Sequence, residues 1–149
     1  MENHRTIRPK HINAIGTLFG GDILRWFDEE SALYVYECLS KDCPRIMTSV
    51  AIYSFNFLKP AFSNQRIKSK WQIVHIGKTS ITVKGLYEKW EDNSWVKFAQ
   101  GYSCLCAIDA NGKPVTYSLK PEINFEKIKS NKEWEIVENL KSLTSLKKK

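Results

Sequence analysis

Residues Asn13 to Leu39 read NAIGTLFGGDILRWFDEESALYVYECL, and this stretch decides the fold. At about 100° per residue, Ile23, Leu24, Phe27, Ser31, Ala32, Tyr34, Val35, Cys38 and Leu39 fall on one broad arc of a helix. Asp28 lies inside that arc, one turn after Leu24 and one turn before Ala32, so the periodicity turns its carboxylate inward. A carboxylate so placed must be paired, hydrogen-bonded, set in a cleft or used, because an unpartnered buried charge is costly. The neighbouring acids read differently: Glu29 is spaced to pair with Arg25, while Glu30 and Glu37 fall toward the polar edge. Gly16, Gly20 and Gly21 lie ahead of the helix or at its start, where a bare backbone lets a ligand approach the N–H groups. Asp22 opens the periodic run as a cap or first-turn acid. Free amides and partial positive charge at a helix start suit an anion, or a carbonyl oxygen becoming one.

The rest of the chain supplies strands. Ser40 to Arg45 reads as a loop around Asp42 and Pro44, and Arg45 to Phe57 as a long strand with apolar residues on both faces, expected to lie centrally in a sheet. Lys59-Pro60 ends it, and Asn64 is suited to a left-handed turn. Ile67–Ile76 and Ser80–Trp90 form a hairpin across Gly77-Lys78-Thr79. Glu91 to Ser94 turns into Trp95–Ile108, and Asp109 to Gly112 turns again toward a last strand at Val115–Leu119. One early helix followed by a meander of antiparallel strands is an α+β architecture, with the sheet wrapped around the helix. Residues 1–120 carry these elements and are expected to form the main domain. Residues 121–149 read as a C-terminal appendage, with Ser130 and Glu133 spaced for a capping box before a short helix bearing Trp134, Val137 and Leu140.

Composition narrows the function classes. A chain of 149 residues, 42% hydrophobic, is one domain's worth of folded protein without an apolar run long enough to span a membrane. The N-terminal MENHRTIRPKH lacks a secretory core, which points to a cytoplasmic location. The four cysteines form no CxxC pair, so thiols, and no metal, are expected. The net charge of +7 raises a nucleic-acid reading, but nine lysines against five glutamates from Lys113 onward put about four of those charges in the last quarter, ending in a solvated Lys147-Lys148-Lys149 tail. Neither a nucleic acid nor a membrane is the expected partner. The basic balance also suits a small polyanion such as a nucleotide-bearing cofactor.

Four blocks in order then become recognisable: Asn13-x-x-Gly16-x-x-Phe19-Gly20-Gly21-x-x-Leu24-x-Trp26-x-Asp28, Phe57-x-x-Pro60, Gly77-Lys78-Thr79-Ser80 and Ala107-x-Asp109-x-x-Gly112-Lys113-Pro114. Over about residues 8 to 120 the chain resembles the hotdog-fold acyl-CoA thioesterases of the acyl-CoA hydrolase branch. The resemblance implies a long helix wrapped by an antiparallel sheet, two subunits joined edge to edge, and active sites at the subunit interface. It implies acyl-CoA as substrate, no cofactor, and a homodimer or a trimer of dimers. It carries the catalytic role onto Asp28 and a water- or substrate-orienting role onto Asn13, with the amides near Gly20 and Gly21 polarising the thioester carbonyl. It likens Gly77, Lys78, Thr79 and Ser80 to the segment that contacts coenzyme A, and Lys59 is a weaker candidate for the phosphates. Asn64-Gln65 departs from the family's glycine and aspartate after the proline, and nothing beyond Pro121 carries over.

Asp28 could act as general base toward water or as nucleophile toward the carbonyl. A structural Asp28 and an Asn13 that merely forms a turn are the plain alternatives. No serine triad is evident: Ser31, Ser40 and Ser49 lack a GxSxG setting, and the histidines are scattered at positions 4, 11 and 75. A non-catalytic acyl-CoA sensor of the same fold is the competing function. A dehydratase of this fold would want a histidine on the central helix, and none lies there.

Overall fold

The structure, a computed structural model, describes residues 1–43 and 46–146. Pro44, Arg45 and the Lys147-Lys148-Lys149 tail, on which parts of the loop, strand and tail readings fell, lie outside these residues. Strands β1 (Glu2–Thr6), β2 (Met47–Phe57), β3 (Arg66–Ile76), β4 (Ser80–Glu91) and β5 (Ser94–Ala107) make one antiparallel sheet in the order β1-β3-β4-β5-β2. Helix α1 (Gly20–Cys38) packs on β2, β4 and β5. The expected α+β wrap is present.

Aromatic rings fill the space between helix and sheet. Phe27 meets Phe55, Trp71 and Tyr87 at ring-centroid distances of 4.9, 5.0 and 6.4 Å. Gly85 makes this approach possible: a Cβ there would stand 2.6 Å from Trp71 and 2.7 Å from Phe27, so any side chain would push α1 off the sheet.

The turns follow the sequence. Asn64 takes φ 67°, and Asp92 and Asn93 take 48° and 59°, the two positive values that a tight hairpin requires. Asp109 accepts from the amides of Asn111 and Lys113, and Gly112 takes φ 76°.

Three readings need correction, and one strand, β1, is added to them. First, β2 is an edge strand, not a central one, and on the single chain Val50 is 56% and Ile52 42% exposed. Apolar residues on both faces identify a strand that is to be covered; they do not say by what. Second, Val115–Leu119 forms no strand, only a single bridge from Leu39 to Leu119, with another from Ile108 to Pro114 just ahead of it. The added strand, β1, had no hydrophobic signal, because Glu2 to Thr6 contains no apolar residue; register with β3 makes it a strand. Third, the acids on α1 exchange places. Asp28 is exposed, whereas Glu30 is 2% exposed at the centre of the buried face. The face runs through Ile23, Trp26, Phe27, Ser31, Val35 and Cys38, and Asp28 falls just outside it, beyond Val35. Arg25 reaches toward Asp22, 4.0 Å away, rather than Glu29.

Glu30 is buried because it is fully partnered. Its carboxylate accepts from Arg5 Nη2 at 2.5 Å, Ser69 Oγ at 2.6 Å and Tyr87 Oη at 3.0 Å, joining β1, β3 and β4 to the helix. Burial and the neighbouring Glu30 carboxylate push the Tyr87 phenol far above its usual range, so it stays a donor.

The C-terminal segment forms helices α2 (Phe125–Lys129) and α3 (Lys132–Leu146). The start of α3 is capped by Asn131, whose Oδ1 accepts from the Glu133 amide at 3.1 Å, in place of the Ser130 cap read from the sequence. Val137, fully buried, packs with Val74 and Tyr102. Glu133 accepts from Lys84 Nζ and from Tyr102 Oη at 2.7 Å each. Burial opposes its charge, but these two bonds hold it below the usual carboxylate range. His75 on β3 stacks on Trp134 at 4.1 Å, faces Glu138 through Nε2, and receives Lys141 Nζ on Nδ1 at 3.0 Å. An ammonium donating to Nδ1 requires the neutral ring, with the proton on Nε2 directed at Glu138.

Two predictions follow from these contacts. Glu30→Ala removes one carboxylate from three donors and leaves the buried Ser69 and Tyr87 hydroxyls without their acceptor, at a cost of about 1–3 kcal/mol for each buried group left unpaired. A urea titration should show a lower midpoint with unchanged slope, and an unshifted midpoint would contradict the role given to the network. Burial first, then the charge of Lys141, lower the His75 pKa beneath its ordinary 6.5, with Glu138 opposing. A histidine held neutral in the fold contributes stability that is present above its unfolded pKa and lost as pH falls through the lowered folded value. The thermal midpoint of the wild type should therefore drop more steeply below about pH 6.5 than that of His75→Phe. Parallel pH profiles would contradict it.

Candidate active site

The segment from Asn13 to Gly21 is held as a compact loop. Asn13 Oδ1 accepts from the amides of Ile15 and Thr17, both at 3.1 Å, and its Nδ2 donates to Thr17 Oγ1 at 2.9 Å. The Asn13 amide donates to Thr17 O, and Gly16 closes the turn at φ 86°. The Asn13 side chain is thus engaged within its own turn. Leu18 N donates to Ala61 O at 2.8 Å, which ties this loop to the connection after β2.

Helix α1 begins at Gly20. Phe19 O accepts from Asp22 N and Ile23 N, so the amides of Gly20 and Gly21 precede the first bonds of the helix. Gly20 lines a cavity of about 390 Å³ together with Thr17, Leu18, Ile23, Phe57, Leu58, Lys59, Pro60, Ala61 and Phe98, whereas Gly21, packed on the Phe19 ring, does not. Phe57, 58% exposed, stands over Gly20, where an added Cβ would meet its ring at 3.3 Å. Phe98, Ile23 and Ala61, each at most 2% exposed, make the floor. An apolar slot that reaches the helix start at Gly20, with Lys59 in its lining, is suited to an acyl chain ending in a carbonyl.

Asp28 stands two turns further on, about 12 Å along the helix axis from Gly20, and does not line this cavity. Its Oδ1 accepts from Ser49 Oγ on β2 at 2.5 Å. One carboxylate oxygen is thereby fixed while the exposed group keeps the other for water or substrate. Ser49 is the functional candidate that sequence reasoning passed over. A serine alternating with apolar residues on a strand carries no motif, and only the placement of β2 beside α1 reveals it. Ser31, by contrast, is buried against Ser103 and Asp28 O.

The turn Gly77 to Ser80 is built from Gly77 N donating to Ser80 O at 2.7 Å, with Tyr117 Oη donating to the carbonyls of both residues at 2.9 Å. Lys78 is exposed on it, and Thr79 O accepts from Ala107 N. Because Ala107 pairs with Met47 at the start of β2, whereas the cavity lies at Phe57, the two are separated by the length of that strand, roughly 30 Å. Within one chain, then, Gly20 and Lys59 line one cavity, Gly21 follows on the helix without lining it, Asp28 lies apart with Ser49, and Lys78 is at the far end. His11 lies edge-on to Trp26 at 4.9 Å, and burial lowers its pKa.

Among the described residues no cluster of His, Cys, Asp or Glu is placed to hold a metal ion, and no helix is long and apolar enough to cross a membrane. All four cysteines are free thiols.

Comparison with known proteins adds to this geometry. The sequence profile of the thioesterase superfamily matches residues 15–89. No curated protein matches the sequence. Among solved structures, the fold is similar to an acyl-CoA hydrolase from Staphylococcus aureus, described in complex with butyryl coenzyme A and coenzyme A, with TM-score 0.79 and 20% identity over 99% of this chain and 87% of that one. An apo-hexameric acyl-CoA thioesterase superposes with TM-score 0.80 and 21% identity over 99% and 91% of the two chains. A hexameric hotdog-fold thioesterase of Campylobacter jejuni gives TM-score 0.69 and 21% identity over 85% and 91%.

Proposed function

Because the chain belongs to the thioesterase superfamily, we propose that it hydrolyses the thioester of acyl-coenzyme A to a free acid and coenzyme A, in a site assembled from two copies. The observation that carries this reading is the pairing of an apolar cavity at the helix start, lined by Gly20, with an exposed, Ser49-oriented Asp28 carboxylate on the same helix. The thioester carbonyl sits at the amides, which stabilise the developing oxyanion. Asp28 accepts the proton of an attacking water, or attacks the carbonyl itself, and the Ser49 hydroxyl fixes the carboxylate's orientation.

The separation of these groups supports a shared site. A closed two-fold pairing along the β2 edge would cover Val50 and Ile52, together with Leu33 and Tyr36, which are 57% and 37% exposed on α1. It would also bring the helix start of one copy alongside the middle of the partner's helix. The hexameric assemblies of structurally similar thioesterases support a homo-oligomer, and a trimer of dimers is the form proposed here. Asn13 acts through its loop, positioning Thr17 and Leu18 at the cavity wall. Lys59 at the rim contacts coenzyme A phosphates, while Gly77, Lys78, Thr79 and Ser80 serve the coenzyme A moiety of another copy's site. Residues 1–120 carry the enzyme, with residues 121–149 as a C-terminal appendage, in a cytoplasmic protein.

Asp28→Asn tests the assignment. It keeps the side chain's size and its bond from Ser49 but removes the charge, so fold and assembly survive. Loss of a positioned base should lower turnover of a saturating acyl-CoA by about two to four orders of magnitude, measured as thiol release. Turnover above about a tenth of wild type contradicts a catalytic Asp28. Binding of acyl-CoA by a wild type that releases no thiol would instead support the sensor reading.

A further inference from the structure

The wall of the cavity opposite α1 is the connection from Leu58 to Ala61, and it hangs on three anchors. Leu58 N and Lys59 N both donate to Phe98 O, at 2.8 and 3.3 Å, and Ala61 O accepts from Leu18 N. The third anchor is unusual. Lys89 on β4 is only 3% exposed, and its ammonium donates to Pro60 O at 2.8 Å and to Glu91 Oε1 at 2.8 Å, beneath the Phe62 ring. That bond from Lys89 is the main reason the Glu91 carboxylate is held below its ordinary range.

Burying an ammonium is costly, and a hairpin end such as Glu91–Ser94 needs none to form. Here the charge is directed at a main-chain carbonyl in the middle of the cavity wall. A backbone carbonyl in an irregular connection has no ladder partner, so a side chain must satisfy it or the segment shifts until water does. Proline at position 60 fixes φ and brings no N–H of its own, which leaves its carbonyl as the handle by which that residue is held.

We infer that Lys89 is a positioning residue that sets the width of the acyl cavity and thereby the enzyme's discrimination among acyl chain lengths. The inference rests on the cavity being the acyl site of the proposed thioesterase. Lys89 lies on the far side of the connection from the cavity lining and touches no reacting atom. Its influence falls on the part of the substrate that lies between Leu58 and Ile23, not on the carbonyl at Gly20. A short acyl group that fills only the mouth of the cavity is indifferent to the wall; a long one is not.

Lys89→Met keeps the length and volume of the side chain while deleting the donor. KM and kcat are measured on the full chain with acetyl-CoA and with palmitoyl-CoA, beside Lys89→Gln, which tolerates burial better but cannot reach Pro60 O, and Lys89→Arg, which restores a charged donor. In either neutral variant the ratio of the two KM values should change by about tenfold with kcat for acetyl-CoA held within about twofold, and arginine should recover the wild-type ratio. An unchanged ratio in a folded neutral variant overturns the inference. A loss of kcat that is equal for both substrates also overturns it, since that marks general support of the fold. A wild type that cleaves neither substrate fails the thioesterase reading itself, and with it the basis for Lys89.

Discussion

The bond network around Glu30 is the constraint on which the remaining geometry depends. A helix lying on a sheet can roll about its axis at little cost in apolar contact, because Ile, Leu and Phe side chains accept several packings. A buried carboxylate cannot roll: Glu30 is met by Arg5, Ser69 and Tyr87 from three different strands, and any rotation would break charge-assisted bonds in a dry interior. This setting puts Phe27 into the aromatic cluster over Gly85, Ile23 on the cavity floor, and Asp28 just beyond the buried face, within reach of Ser49. Glu30 thus holds the register in which Asp28 stays outside the buried face, bonded to Ser49.

The edge position of β2 follows the same logic at the level of the assembly. One chain leaves an 11-residue strand with unpaired backbone on one side and exposed Val50 and Ile52, beside exposed Leu33 and Tyr36 of α1. Edges of this kind are covered in native proteins. The helix start and Asp28 are about two turns apart on one helix, too far to act on one carbonyl, and the proposed two-fold pairing resolves both facts with a single contact.

Much of the fold was legible in the sequence because its signals are local. The 3.6-residue period gave α1, and Gly77-Lys78-Thr79, Asp92-Asn93 and Asn64 marked turns through their own backbone preferences. The failures concern what local pattern does not contain. Asp28 and Glu30 differ by two residues on one helix, and a broad apolar arc that counts Ala32 and Leu39 and leaves out Trp26 rolls the helix enough to swap them. Strand order is a tertiary property, so β2 read as central. Strand β1 is polar throughout and exists because β3 offers it an edge. In the site, Gly20, Gly21 and Asp28 stood out as chemistry without an apolar excuse. Ser49 and Lys89 did not, because a serine on a strand and a lysine in a hairpin look like surface until their partners are in place.

The central claim is that each site joins the helix-start amides of one copy to the Asp28 of its partner, and subunit mixing tests it most directly. Gly20→Pro deletes one amide at the first helical position, where proline is well tolerated, and Asp28→Asn deletes the charge; each pure assembly should be inactive. After the two are unfolded and refolded together in equal amounts, half the dimers are mixed, and each mixed dimer owns one site with both groups intact. Thiol release should return to about a quarter of the wild-type rate, as the symmetry of a two-fold interface requires. A mixture as inactive as its parents, with mixed assemblies verified by mass, would contradict the shared site.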